Sequence, residues 1–217
     1  MFVWPRFAAH LSGVRSPDER VVSLLSDLAE YIPGSSAMDV LSTLFDDGVP
    51  IDAVGRLAPH LHHVGFVAPP EIDVAAIEQV LRQAPFRNQL CTFKSAVLAK
   101  EFSSRFGRNV DVVIVQGSMA AHPARSLAVE ICVANLPPED LESLVAREIG
   151  CHVALALAPS SSFDCVRGVL HAYGCWENPL MRDGPLVNRE ISSSVLYVDI
   201  SGRERTRRLE FISFNAA

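Results

Sequence analysis

Two short segments constrain this chain more than anything else in it: His63-Val64-Gly65-Phe66-Val67-Ala68-Pro69 and His152-Val153-Ala154-Leu155-Ala156-Leu157-Ala158-Pro159. Each is an apolar run opened by a histidine and closed by Ala-Pro, and each leads through a polar cap into an amphipathic segment. The two histidines stand 89 residues apart. The same offset lays Asp73 on Ser162, Val74 on Phe163, Ile77 on Val166, Val80 on Val169 and Leu81 on Leu170. A match of that length points to internal duplication of one unit led by a strand and a helix.

With 217 residues, 49% of them hydrophobic, the chain can bury either one large core or two similar ones. A net charge of −6, with no stripe of Lys and Arg, argues against a nucleic-acid partner. The run Arg203-Glu204-Arg205-Thr206-Arg207-Arg208 mixes signs and reads as a solvated turn. The five cysteines form no CxxC motif, and Pro5 and Arg6 interrupt the apolar opening, so the sequence predicts a cytoplasmic protein with reduced thiols. Cys132 and Cys165 read as small buried hydrophobes. No apolar run reaches membrane-spanning length, so no membrane partner is expected.

Residues 1–15 read as an irregular arm. Ser16-Pro17-Asp18-Glu19 is a helix start, with Ser as N-cap, Pro at the first helical position and Glu at the third. A helix follows to Ile32, a second is predicted over Ser36–Asp47 and a short third over Ile51–Leu57, giving an N-terminal helical extension at 1–57. The first module, 58–137, reads as strand His62–Val67, helix Asp73–Gln83, strands Cys91–Lys100 and Val110–Gln116, and strand Leu127–Val133. A connector at 138–150 contains a helical stretch, Glu139–Arg147. The second module, 151–217, reads as strand His152–Leu157, helix Ser162–Tyr173, strands near Arg189–Ser194 and Val195–Ile200, and strand Leu209–Phe214.

Each module thus opens on a strand bearing a histidine and closes on a strand bearing one carboxylate in an apolar run. These are Glu130 in Ala128-Val129-Glu130-Ile131-Cys132-Val133 and Glu210 in Leu209-Glu210-Phe211-Ile212-Ser213-Phe214. A glutamate inside a buried strand is costly unless it is paired, protonated or bound to a cation. Alternation puts His63 with Gly65, His152 with Ala154 and Ala156, and Glu130 with Ala128 and Cys132, while bulky residues occupy the opposite faces. A hollow lined by small residues, two imidazoles and one or two carboxylates suits a divalent metal such as Fe, Ni, Zn, Mn or Co.

On these residues the sequence resembles the vicinal oxygen chelate superfamily, and within it the glyoxalase-type two-module arrangement, over about residues 60–215. Leu61-His62-His63-Val64-Gly65-Phe66-Val67 and Ile149-Gly150-Cys151-His152-Val153-Ala154-Leu155 are similar to the family's opening strands. Ser126–Ile131 and Leu209–Ile212 are similar to its closing strands. The resemblance implies an α+β fold of two tandem βαβββ modules forming an open curved mixed sheet around a metal cavity, with His63, Glu130, His152 and Glu210 as ligands of one divalent ion. It departs from the pattern at Ser201-Gly202-Arg203-Glu204-Arg205, where the family has Asp-Pro-Asp-Gly. A long loop, Ser118–Arg125, is also unusual.

The resemblance also implies a reaction class: a small oxygenated substrate bound to the metal, stabilisation of an enolate or oxyanion, and proton transfer by Glu130 or Glu210, as in glyoxalase, isomerase and epimerase members. The alternatives are a non-haem Fe(II) dioxygenase using His63, His152 and Glu210, and a metal-free small-molecule binding or resistance protein. Tyr197 is a candidate for contact with a substrate oxygen. Lys94, Lys100, Arg182 and Arg189 read as surface charges, His60 and His62 as strand-start histidines that are exposed or stand behind a ligand, and His10, His122 and His171 as ordinary surface or helix histidines. A homodimer is compatible with the family pattern.

Overall fold

In a computed structural model, residues 4–45, 51–122, 125–172, 175, 186–188, 193–201 and 206–214 are described. The helices and strands run α1 (Phe7–Leu11), α2 (Pro17–Tyr31), α3 (Ala37–Leu44), α4 (Ile51–Leu57), β1 (His60–Val67), α5 (Val74–Gln83), β2 (Leu90–Lys94), α6 (Ala96–Phe106) and β3 (Val112–His122). They continue with β4 (Arg125–Ala134), α7 (Pro138–Ala146), β5 (His152–Ala156), α8 (Phe163–Ala172), β6 (Leu186–Asn188), β7 (Ser193–Ser201) and β8 (Thr206–Phe214). No helix among the described residues is long and apolar enough to cross a membrane. The backbone divides into two compact units. One comprises Pro5–Pro33 and His63–Cys151; the other comprises Met1–Trp4, Gly34–His62 and His152–Ala217. The N-terminal helices are therefore shared out, α1 and α2 to the first module and α3 and α4 to the second.

In the first unit the strands lie in the order β2-β3-β4-β1, antiparallel except that β1 runs parallel to β4. Helix α5 starts at Asp73, whose Oδ1 accepts the Ala76 N–H at 2.8 Å, and it buries Ile77, Val80 and Leu81. Helix α2 packs on it and opens with the expected capping box: Ser16 Oγ accepts the Glu19 N–H at 3.3 Å, and Glu19 Oε2 accepts the Ser16 N–H at 3.0 Å. Val67, Leu98, Phe102, Ile114, Cys132 and Leu144 meet in one apolar core.

The second unit repeats the topology. Its strands lie in the order β5-β8-β7-β6, with β5 parallel to β8 and the other pairs antiparallel. Ser162 stands where Asp73 does in the first, and its Oγ accepts the Cys165 N–H at 3.3 Å at the start of α8. Val166 and Leu170 form the buried face of that helix, matching Ile77 and Leu81. Even the strand exits correspond: the Ala68 N–H donates to the Cys132 carbonyl and the Leu157 N–H to the Ile212 carbonyl, both at 2.9 Å. Helix α4 packs on α8, as α2 packs on α5.

Several expectations need correction. Residues 91–100 do not form one strand: β2 ends at Lys94, and Ser95 caps α6 by accepting the Leu98 N–H at 3.2 Å. The first module is therefore βαβαββ. The described part of Ser118–Arg125 is strand and not loop: β3 runs to His122 and β4 starts at Arg125, which pairs with it. The arm at 1–15 contains α1, whose Phe7 and Leu11 are fully buried; the Phe7 ring lies 6.2 Å from that of Phe66. Ser193–Ser201 is one strand and not two. Cys132 is buried, but Cys165 is exposed, since it falls off the Val166–Leu170 face; none of the five cysteines is in a disulfide. Positions 46–47, 173, 182, 189–192 and 202–205, on which other expectations fell, lie outside the described residues.

One position in β3 is closed to any side chain. A Cβ built on Gly117 would stand 2.5 Å from the Phe86 carbonyl oxygen, a backbone atom that cannot swing away. Gly117→Ala should therefore destabilise the protein by about 1–3 kcal/mol. Chemical denaturation would register this as a lower midpoint with little change in slope, whereas an unchanged midpoint would show that β3 can shift.

Two matched histidine–glutamate pairs

The parallel pairing of β1 with β4 places Gly65 opposite Glu130, so His63 lies one diagonal step away on the same face. Its Nε2 is 3.5 Å from Glu130 Oε2. In the second unit the pairing of β5 with β8 places Ala154 opposite Glu210. His152 occupies the corresponding diagonal, with Nε2 3.2 Å from Glu210 Oε2. In both units the residue across from the carboxylate on the parallel strand is small, which leaves on that side the room a bulky side chain would take. All four groups are buried: His63 and His152 are 1% exposed, Glu130 5% and Glu210 3%. Two carboxylates at that depth incur a desolvation penalty that needs a compensating partner.

Each carboxylate is also held from the antiparallel side by the residue paired with it in register. Gln116 stands opposite Glu130 and donates from Nε2 to Oε1 at 3.0 Å, and its own Oε1 accepts from the Cys91 thiol at 3.2 Å. Tyr197 stands opposite Glu210, and its hydroxyl donates to that carboxylate. Tyr197 is 4% exposed, its ring is 5.7 Å from that of His152, and the Arg208 guanidinium lies 5.0 Å over its face. Arg208 in turn grips Asp199 in a fork, Nε to Oδ1 at 2.8 Å and Nη2 to Oδ2 at 3.3 Å. Gln116 was missed in the sequence, although a lone amide after Val112-Val113-Ile114-Val115 marks it. The arginine run is likewise not a solvated turn where it is described. Arg208 is buried, and Arg207 donates to the Thr43 carbonyl at 2.7 Å and stacks on Trp4.

Electrostatics follow from burial. Desolvation pulls the His63 imidazole below its ordinary value, and the neighbouring Glu130 charge opposes this without overcoming it. Desolvation pushes the Glu210 carboxyl up, against the pull of His152, the Tyr197 hydroxyl and Arg208. For His63 the unfolded chain takes up the proton first, so its contribution to stability is complete above about pH 6.5 and declines below it. For Glu210 the sign reverses: the folded chain keeps the proton longer, and stability falls as pH rises through the folded value. Glu210→Gln, which removes the buried charge and keeps the shape, should therefore raise the melting temperature of metal-free protein at about pH 8 more than at about pH 4. A gain that does not depend on pH would remove the buried charge as its cause.

The remaining expectations sort by exposure. His60, His171, Lys94 and Lys100 are exposed, and His62 is half-buried with its ring 5.0 Å from Phe214. Neither the side chain of His122 nor any part of Arg182 and Arg189 is among the described features.

No family model and no curated protein sequence matches the chain. Solved structures do. A variant of 4-hydroxymandelate synthase from Streptomyces coelicolor aligns with a TM-score of 0.50 and 14% identity, over 74% of this chain and 50% of that one. Methylmalonyl-CoA epimerase from Streptomyces coelicolor aligns at 0.46 and 12% identity, over 74% and 97%. The epimerase from Mycobacterium tuberculosis aligns at 0.46 and 11% identity, over 74% and 91%. Identity this low speaks to architecture alone, and of the three alignments the one to the synthase variant bears on it. The chain has the fold of the vicinal oxygen chelate superfamily.

Proposed function

We propose that this protein is a divalent-metal-dependent enzyme in which His63, Glu130, His152 and Glu210 hold one cation and a glutamate moves a proton at a carbon next to a carbonyl. The observation that carries the reading is the pair of buried imidazole–carboxylate couples at matched diagonals of a duplicated sheet. The donor chemistry fits Fe, Ni, Zn, Mn or Co, all of which accept imidazole nitrogen with carboxylate oxygen. Either couple alone supplies two donors, half of a four-coordinate shell, and this is the reason for assigning both to one ion. When bound, the cation supplies Lewis-acid polarisation of a substrate oxygen. Glu130 is the proposed base, since it sits farther from its histidine than Glu210 does and rests on a neutral amide. Glu210 is the proposed anchor, held by the Tyr197 hydroxyl in a buried layer that Arg208 and Asp199 close. At that depth Tyr197 acts by positioning Glu210, and any substrate contact by it would pass beside the carboxylate.

The proposed substrate is a small oxygenated carbon acid. Because the Streptomyces epimerase was solved with 2-nitronate-propionyl-CoA, acyl-CoA thioesters belong in the first panel, beside 2-oxo acids and hemithioacetals. Proton NMR in deuterium oxide, with protein reconstituted separately with each metal, tests the reading: wild type should wash out the proton next to the carbonyl, and Glu130→Gln should slow this by about 10²–10⁴-fold. Loss of the same signal without enzyme-dependent exchange, together with oxygen uptake, would favour the dioxygenase alternative on His63, His152 and Glu210. The longer His63–Glu130 separation is the observation that keeps this alternative in play. Protein that binds no divalent ion but retains a small molecule would favour the binding-protein alternative.

A further inference from the structure

We propose that the two N-terminal helices carry a second reactive centre, a serine nucleophile of the ester-hydrolysing kind at Ser23, assisted by His10 and Asp27. Ser23 and Asp27 are one turn apart on α2, hence on one face. His10, in the last turn of α1, reaches both: its Nδ1 lies 3.3 Å from Ser23 Oγ and its Nε2 lies 3.1 Å from Asp27 Oδ2. An ionised aspartate only accepts, so Nε2 carries the hydrogen and the Nδ1 lone pair faces the hydroxyl, as a general base requires. Nothing in the sequence alone singled out His10, which read there as an ordinary surface or helix histidine.

Two further observations separate this cluster from an ordinary surface network. The base is fixed from behind, because Phe7 and Leu11 of α1 are fully buried and the Ala8 N–H donates to Glu148 Oε1 at 3.1 Å. The nucleophile also faces a cavity: Ser23 and Arg15, with Val22, Ala76, Gln79 and Val80, line a hollow of about 430 Å³ between α2 and α5. That volume lies within the usual range for small-molecule sites. Arg15, an exposed side chain, donates from Nη1 toward Ser23 Oγ at 3.4 Å, which keeps a positive charge beside the nucleophile and within reach of an oxyanion formed there. Serines inside helices commonly fold back on their own backbone, as Ser26 does onto the Val22 carbonyl at 2.9 Å. Ser23 instead lies between an imidazole and a guanidinium.

The chemistry balances without a cofactor. Ser23 Oγ forms a bond to the carbonyl carbon of an ester while its proton passes to His10 Nδ1. The resulting oxyanion faces Arg15. Cleavage of the ester C–O bond then expels the alcohol, which takes the proton from His10. Water, deprotonated by the same nitrogen, releases the acid and restores the serine. Val22, Ala76 and Val80 offer apolar contact for a short acyl chain, while Asp18 and Glu19 in the same lining disfavour a negatively charged one, so the substrate class is an uncharged ester of a short carboxylic acid.

The test uses the full chain after chelator treatment, which silences the proposed metal centre and keeps the two readings apart. Wild type should hydrolyse p-nitrophenyl butyrate and take a fluorophosphonate label on Ser23, located by peptide mass spectrometry. Ser23→Ala and His10→Gln should each lower the rate by roughly 100-fold and remove the label. Asp27→Asn should cost less, and Ser26→Ala should change nothing. Alanine at position 23 sits comfortably in a helix, so circular dichroism should match wild type. Hydrolysis by Ser23→Ala at the wild-type rate, or label found on another residue, would overturn the proposal.

Discussion

Replacing His152 with alanine is expected to leave purified protein without stoichiometric divalent metal and to lower affinity for an added cation by more than about 100-fold. Loss of groups that merely orient ligands already costs 10–100-fold, and loss of a ligand should exceed this. The variant should still fold, because the position opens β5 at its edge next to Cys151 and the bulky residues of the strand, Val153 and Leu155, remain in the core. His63→Ala in the other module should behave alike, since both imidazoles occupy the same diagonal to a buried glutamate. Equal losses from two positions so far apart in the chain would mark a shared ion. Loss from one with none from the other would point to a site confined to a single module. Calorimetric titration of each variant with zinc or cobalt separates these outcomes. Tyr197→Phe offers a graded control, because it removes one donor to Glu210 and leaves all four proposed ligands in place.

Phe102→Ala should be the most damaging single truncation in the first unit, costing about 3–5 kcal/mol. The ring is fully buried among Val67, Leu98, Val110 and Leu144, and its Cζ lies 3.0 Å from where a Cβ on Gly150 would be. For a chain of this size each kcal/mol moves the melting temperature by about 2–4 °C, so calorimetry should find a fall of at least about 6 °C. A fall of a degree or two would mean that α6 contributes little to the core and that the strand reading of residues 91–100 described the chain better.

That helix also shows where sequence reading ran short. Cys91-Thr92-Phe93-Lys94 alternates like a strand and is one, but Ser95-Ala96-Val97-Leu98 carries the pattern onward with no break in hydrophobicity. The signals that end the strand are a cap at Ser95 and a left-handed Gly107 closing the helix, and these are local features that an apolar average conceals. The duplication was legible because its period survives at the positions that chemistry and packing hold: the histidines, the caps Asp73 and Ser162, and the faces Ile77–Leu81 and Val166–Leu170. The two glutamates were legible because a lone charge in an apolar strand demands an explanation.

Gln116 and Arg208 were not legible in the same way. Which polar residue of a neighbouring strand meets a carboxylate depends on register, and register appears only once the strands are paired: Gln116 with Glu130, Tyr197 with Glu210, Asp199 with Arg208. The Ser23–His10–Asp27 cluster was invisible for a related reason. Its members belong to two helices whose mutual packing is set by Phe7 and Leu11, in a stretch that has the composition of an irregular arm.

Metal content per chain, measured by plasma mass spectrometry on protein purified without chelator and reloaded with cobalt, addresses the proposed shared centre most directly. One ion per polypeptide, lost in both His63→Ala and His152→Ala, is the expected result. Two ions per polypeptide, each surviving removal of the other module's histidine, would contradict it.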